Sequence, residues 1–310
     1  METQKPKIAL YVKRSFGEKL TATFGFVNEN WKVLLKYCTY LLLPLCLIQG
    51  LSTNSFMKTY MGVVASAGNG ISSYDDLAYA LGVSYGSLIV LYGIGALILT
   101  SLVYGLVKLY NEREERLAGL TFAELKPLLS GNFKRLFILW LFMTGVSLVV
   151  LIVVGVLAAI TPWTLLLPIP FLIACILPLS LLPAIYLFEN TGVWQSFKKA
   201  LRLGFATWGG IFGVTFVTGF IANVVQGVLS IPYMVMLVIG VALTTGGMQT
   251  EMTTSVGFGF MNYLFAVLMT FGIYLSMIFT LLGIVYQYGH ACEVMDSVSV
   301  EEDITRFEQL

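Results

Sequence analysis

Leu136-Phe-Ile-Leu-Trp-Leu-Phe-Met-Thr-Gly-Val-Ser-Leu-Val-Val-Leu-Ile-Val-Val-Gly-Val-Leu-Ala158 contains no charged side chain. A helix of about 20 apolar residues crosses the roughly 30 Å hydrocarbon core of a bilayer, so this stretch predicts a transmembrane helix. Four more stretches read the same way: Trp31 to Leu51, Tyr85 to Val107, Thr164 to Phe188 and Asn262 to Tyr286. A longer apolar region, Gly209 to Thr245, is interrupted by Ser230 and Pro232. Because proline lacks the amide that continues a helix, this region is expected to hold one full span and a short remainder. The remainder, Ile231 to Leu243, reads as a re-entrant or interfacial segment on the outer side, which gives six spans; seven spans is the alternative.

The composition agrees with that class. Of 310 residues, 57% are hydrophobic and 11% charged, with a mean hydropathy of +0.84, whereas soluble proteins are about one quarter charged. With 18 basic and 17 acidic residues the net charge is +1, which excludes nucleic-acid binding through a basic field over a whole face. Cys38, Cys46 and Cys175 lie inside apolar runs and Cys292 just beyond the last, a spacing that forms neither a disulfide framework nor a metal knuckle. The first apolar run begins only near Trp31, so no cleavable secretory leader is expected.

Cations mark the orientation. Lys5, Lys7, Lys13, Arg14, Lys19, Lys32 and Lys36 precede or enter the first span. Lys108, Arg113, Arg116, Lys126, Lys134 and Arg135 lie between the second and third, and Lys198, Lys199 and Arg202 follow the fourth. With Arg306 in the tail, only Lys58 falls on the opposite side. The positive-inside rule therefore predicts a cytoplasmic amino terminus.

The cytoplasmic segments resemble one another. Ser15-Phe-Gly-Glu18 leads to Asn30-Trp31-Lys32, and Thr121-Phe-Ala-Glu124 leads to Asn132-Phe133-Lys134. Each opens with a Ser/Thr-x-x-Glu capping box, which satisfies the free amides of a helix start. The third, from Thr191, sets Val193, Phe197, Leu201, Gly204, Phe205 and Trp208 opposite Gln195, Lys198, Lys199 and Arg202 at helical period. The expected architecture is an all-α integral membrane protein of six transmembrane helices in three hairpins, each preceded by a cytoplasmic interfacial amphipathic helix. The pseudo-repeats are 1–107, 108–188 and 189–286, within one membrane domain 1–286, and a short acidic cytoplasmic tail, 287–310, follows. A capping box at Ser299 and Glu302 and apolar Val300, Ile304 and Phe307 fit a short helix in that tail whose acids Glu301, Glu302, Asp303 and Glu308 dock on the basic helices; a solvated, frayed tail is the alternative.

The phrase Trp194-Gln-Ser-Phe-Lys-Lys-Ala-Leu-Arg-Leu-Gly-Phe-Ala-Thr-Trp208, followed by Gly209-Gly210, and the closing Tyr286-Gln-Tyr-Gly-His290 resemble a group of uncharacterised bacterial membrane proteins, especially those of Bacteroidota. That group is related to the membrane domain that accompanies some glycerophosphodiester phosphodiesterases. The resemblance implies a membrane architecture and no catalytic residues, because the histidines and carboxylates of the phosphodiesterase metal site have no counterpart in a chain with one His.

Candidate chemistry is sparse. No Asp, Glu, Arg or His falls inside the spans as drawn, whereas proton-driven transporters keep a titratable group at mid-membrane. Asn223 and Gln226, three apart in the fifth span, read as interhelical hydrogen-bond partners or as the lining of a polar cavity. Pro168, Pro170, Pro178 and Pro183 are expected to kink or partly unwind the fourth span. Met234, Met236, Met248 and Met252 lack the His or Cys that would turn thioethers into a metal site, and His290 reads as an interface residue near a helix end. The lipid-surface candidates are Lys19, Lys126, Lys134, Arg135, Lys198, Lys199 and Arg202, each attracted to anionic headgroups by about 1 kcal/mol. The expectation is a non-enzymatic protein without cofactor or metal that engages anionic lipid or a cytoplasmic protein partner. The alternative is a transporter or lipid-handling protein with a cavity near the fourth and fifth spans.

Overall fold

A computed structural model describes residues 6–67, 74–166, 168–245 and 255–298. The described residues form α1 (Phe16–Ala67), α2 (Tyr74–Glu112), α3 (Phe122–Ile160), a 3-10 turn (Pro162–Leu166), α4 (Pro168–Leu179), α5 (Leu182–Phe188), α6 (Val193–Ala206), α7 (Trp208–Thr245) and α8 (Val256–Met295). No strand occurs among them. Six stretches are helical, long and apolar enough to cross a membrane: Phe16–Met57, Tyr85–Glu112, Phe122–Ile160, Trp163–Phe188, Trp208–Leu243 and Val256–Met295. The physical reason is common to all six. In hydrocarbon no water bonds a free amide, so only a helix, which satisfies its backbone internally, crosses as a single segment.

Helix starts follow the local chemistry. The Ser15 amide donates to Glu18 Oε2 at 2.7 Å while the Glu18 amide donates to Ser15 Oγ at 3.4 Å, a complete capping box at the head of α1. At α3, Thr121 Oγ1 accepts from the Glu124 amide at 3.4 Å and its hydroxyl donates to the Glu124 carboxylate at 2.8 Å. From these caps α1 and α3 run without a break through the segments expected to be separate interfacial helices and on into the spans. Only the third such segment, α6, is a helix of its own, closed at Thr207 before α7 begins.

The reading of Pro232 is corrected. α7 is one helix through this proline, so Ile231 to Leu243 is neither re-entrant nor a separate short segment. Proline removes one amide, and beside it Ser230 Oγ donates to the Gly227 carbonyl at 2.9 Å, a side-chain bond to the same stretch of helix backbone. Pro44 is likewise absorbed within α1. The fourth span does break: Pro168 and Pro170 lie in the first turn of α4, Pro178 near its end and Pro183 in the first turn of α5, with Ser180 and Leu181 in the turn between. Helix starts tolerate proline because the first amides have no intrahelical acceptor.

The chain divides into two compact units. The first comprises 1–34, 100–220 and 279–310. In it α6 packs on α4 and α5, and α3 on α5. The buried stripe of α6 is Ser196, Ala200, Leu203 and Gly204, while Trp194 and Phe205 are exposed. Close approach selects small residues in that stripe: a Cβ on Gly204 would overlap the Pro178 backbone. The second unit comprises 35–99 and 221–278. Met57, Tyr233 and Ala266 form a core there, and Gln49 Nε2 donates to the Tyr274 hydroxyl at 2.6 Å.

The contact at Gly204 yields a test. Gly204→Ala should destabilise the protein in detergent by about 1–3 kcal/mol through overpacking against backbone. Gly209→Ala, whose added Cβ meets nothing within 4 Å, should leave the thermal unfolding midpoint nearly unchanged.

Candidate functional site

The seven candidate cations are not equivalent. Lys126, Lys134, Lys198 and Arg202 are exposed, Arg135 and Lys199 are half-buried, and Lys19 is buried. Burial sorts them because a cation leaves water only where fixed acceptors replace it or a ligand does.

Arg135 is held by fixed acceptors. Its guanidinium donates to Asn190 Oδ1 and the carbonyls of Tyr186 and Thr191, and its centre lies 4.5 Å from the centroid of the Tyr186 ring. Asn190 has a positive φ of 52°, one of the few such residues outside glycine, in the turn that carries the chain from α5 to α6. Arg135 thus ties α3 to that turn.

Lys199 sits between two acids. Its Nζ lies 2.8 Å from Glu189 Oε2 and 2.8 Å from Asp296 Oδ2, and Arg202 reaches Asp296 Oδ1 at 2.7 Å. Burial is the largest single influence on the Lys199 ammonium and works against its charge, but the bonds from Asp296 and Glu189 together hold its pKa above the ordinary lysine value. Glu189 also accepts from the Tyr288 hydroxyl at 3.0 Å. The acids that meet the basic helix here are therefore Glu189 and Asp296; the tail acids Glu301, Glu302, Asp303 and Glu308 lie outside the described residues.

What remains exposed on α6 is Trp194, Gln195, Lys198, Arg202, Phe205 and Ala206. Trp194 stacks on Phe197 with ring centroids 5.6 Å apart, and Phe142 of α3 meets both rings edge-on. This is an aromatic platform with the exposed Lys198 ammonium a helical turn away.

The segment before α1 is also fixed. The Ile8 amide donates to the Tyr110 hydroxyl at 3.3 Å, Tyr110 donates to Glu29 at 3.0 Å, and Arg116 pairs with Glu29. The Arg14 amide donates to His290 Nδ1 at 3.0 Å, and the Arg14 guanidinium lies 5.3 Å from the Tyr286 ring centroid. Burial lowers the Arg14 pKa, with Tyr286 and Glu18 pulling the other way. Gly289 makes this fit possible, since a Cβ there would overlap the Leu10 carbonyl. A groove of about 400 Å³ between this segment and α1 is lined by Ile8, Val12, Lys13, Arg14, Ala22 and Gly25, among others. His290, read as an interface residue, is thus the acceptor that anchors the chain's entry into α1.

In the second unit Gln226 Nε2 donates to the Met269 carbonyl at 3.5 Å, and Asn223 is exposed. Asn262 Nδ2 donates to Asn54 Oδ1 at 2.8 Å. Gln49 and Gln287, both buried to about 1% exposure or less, were missed in the sequence because they sit at the ends of their apolar runs. Their signal was an uncharged amide among apolar residues, visible only once the helices extend past those ends. Among the described residues no three His, Cys, Asp or Glu side chains gather to hold a metal ion.

Comparison with protein-family models, with curated proteins and with solved structures finds no match to this chain.

The two lysines of α6 separate by substitution. Lys199→Met takes the shared ammonium from two half-buried acids, leaving Glu189 the Tyr288 hydroxyl and Asp296 the Arg202 guanidinium, and should cost about 1–3 kcal/mol of stability, whereas Lys198→Met, at an exposed position, should stay within about 0.5 kcal/mol. Thermal unfolding of the two variants in one detergent reads the difference.

Proposed function

We propose that this chain is a non-enzymatic, multi-pass protein of a bacterial inner membrane that engages anionic lipid, or a cytoplasmic partner, through basic interfacial helices. The observation that carries the reading is the exposed side of α6, where Trp194 and Phe205 flank Lys198 and Arg202. Aromatic rings settle at the headgroup boundary and ammonium groups meet anionic phosphates there, each cation contributing about 1 kcal/mol. Lys126 and Lys134 extend the same chemistry to the start of α3. In this reading the amino terminus is cytoplasmic, because nearly all cations lie on its side of the spans. Kinship with the membrane domain that accompanies glycerophosphodiester phosphodiesterases belongs to the same proposal and rests on the Trp194–Trp208 and Tyr286–His290 phrases.

A second reading, a transporter or lipid-handling protein, is favoured by the broken fourth span, since interrupted helices line substrate sites in several transporter folds. The groove of about 330 Å³ along α7 is lined almost wholly by apolar residues, among them Ile231, Met234, Val235 and Val238, with Ser230 as its polar side chain.

Two measurements test the leading reading. In nanodiscs of mixed composition, tryptophan fluorescence should be quenched more by brominated anionic lipid than by brominated phosphatidylcholine. Replacing Lys126, Lys134 and Lys198 together by Glu should abolish that preference, and an unchanged preference rejects the lipid-surface role. These three are chosen because they lie outside the ion pairs that hold the fold. Separately, cysteines introduced at Lys13 and Thr305 should both react with an impermeant maleimide from the cytoplasmic side only; labelling of the two from opposite sides would reject six spans.

A further inference from the structure

Among the described residues of the second unit, three amides bond across helices: Gln49 donates to the Tyr274 hydroxyl, Gln226 to the Met269 carbonyl and Asn262 to Asn54. Asn223 of α7, by contrast, is exposed. No charged residue stands between Arg202 and Glu251. Measured from Trp208, where α7 begins, Asn223 lies about 22 Å along the helix axis, inside the roughly 30 Å of hydrocarbon that the helix crosses. An amide facing lipid tails is costly there. It carries two donor hydrogens and two acceptor sites, more than one bond uses, and hydrocarbon supplies none.

Asn223 opens a stripe along α7. Gly227, Ser230 and Met234 follow at i+4, i+7 and i+11, a spacing that keeps all four on one face. Asn223, Gly227 and Met234 are exposed and Ser230 is half-buried. Gly50 and Gly272 of the same unit are glycines because a neighbour needs the space: a Cβ there would lie 2.6 Å from Val267 Cγ2 and 2.8 Å from Leu229 Cβ. Gly227 has no such reason within its own chain, since a Cβ there meets nothing within 4 Å. A glycine in mid-helix costs helix stability, so its use lies in what approaches from outside. The groove of about 330 Å³ begins at Gly227 and Ser230 and continues to Val238, so the surface beside Asn223 is concave as well as apolar.

We propose that this face of α7 is the contact between two copies of the chain, paired about a two-fold axis along the membrane normal. Symmetry and chemistry together select the occupant. Copies of one chain insert with the same orientation, so residues at equal depth meet, Asn223 with Asn223 and Gly227 with Gly227. A carboxamide complements itself: the Nδ2 of each copy donates to the Oδ1 of the other. Gly227 removes the side chain that would hold the two backbones apart. A lipid tail would cover the groove but leave the amide unmatched, whereas a second copy supplies the matching amide at the right depth. The contact rests on α7 crossing the membrane and is independent of any lipid-surface role of α6.

The test uses full-length chains carrying donor or acceptor fluorophores at the amino terminus, reconstituted together in phosphatidylcholine vesicles, a neutral lipid that keeps the α6 cations out of the readout. Energy transfer should rise with protein density and saturate as for a dimer. Asn223→Leu and Gly227→Leu should each weaken association about tenfold, the loss of an interhelical bond or of close approach. Val228→Leu, exposed on another side of the same helix, should leave it unchanged. If Asn223→Leu fails to fold, Gly227→Leu decides, because its added Cβ enters open space. Disulfide trapping locates the contact. With Cys175→Ala as background, the other native thiols being buried, Asn223→Cys should cross-link between copies under mild oxidation and Val228→Cys should not. Energy transfer no greater than random proximity overturns the proposal and leaves the face to lipid or to a different protein. Native association in the folded Asn223→Leu and Gly227→Leu variants, or equal cross-linking at 228, overturns it as well.

Discussion

In hydrocarbon the backbone has no water to bond, and that constraint governs every element of this chain. Helices that satisfy their own amides remove the backbone from the problem and leave side chains to decide how they associate. Apolar area does not drive that association, because lipid tails are as apolar as leucine; close packing and interhelical bonds do. The contacts inside the first unit show the consequence. Gly213 receives the Phe16 ring, with a Cβ there only 2.9 Å from Phe16 Cε2, and Gly283 lies against Thr218 and Val214. Gly204 and Gly289 admit the Pro178 backbone and the Leu10 carbonyl. Each glycine stands where a neighbouring helix or segment needs the space of a methyl group.

The same dryness makes polar groups conspicuous. Half-buried cations are each given acceptors: Lys199 meets Glu189 and Asp296 and Arg116 meets Glu29, while Arg135 and Arg14 donate to carbonyls. Where amides are buried most are paired across helices, as in Gln49 with Tyr274 and Asn262 with Asn54. Asn223 departs from that pattern by being exposed, which is why it draws attention.

Much of the chain's organisation was legible from residue order. Five apolar runs, the capping boxes at Ser15 and Thr121 and the prolines of the fourth span all report local chemistry, and local chemistry is what a linear reading resolves. Pro232 was misread because its local effect, a lost amide, is real, while its outcome depends on whether a helix is held by its neighbours and its other bonds. Which residues of α6 are buried was not legible for a related reason. Hydrophobic period points to Phe197 and Phe205, but packing against α4 selects the small stripe Ser196, Ala200 and Gly204. Asp296 was invisible as the partner of Lys199 and Arg202, since nothing in residue order brings the end of α8 beside α6.

By itself, then, the sequence determined that the chain is helical, that six stretches are long and apolar enough to span a membrane, and where its charges fall along the chain. These follow from composition and period, which act over one or two helical turns. Only the tertiary structure decided which of those charges are neutralised and which stay exposed. That sorting depends on distances between residues hundreds of positions apart, such as Arg14 and Tyr286, and a charge takes its meaning from what surrounds it.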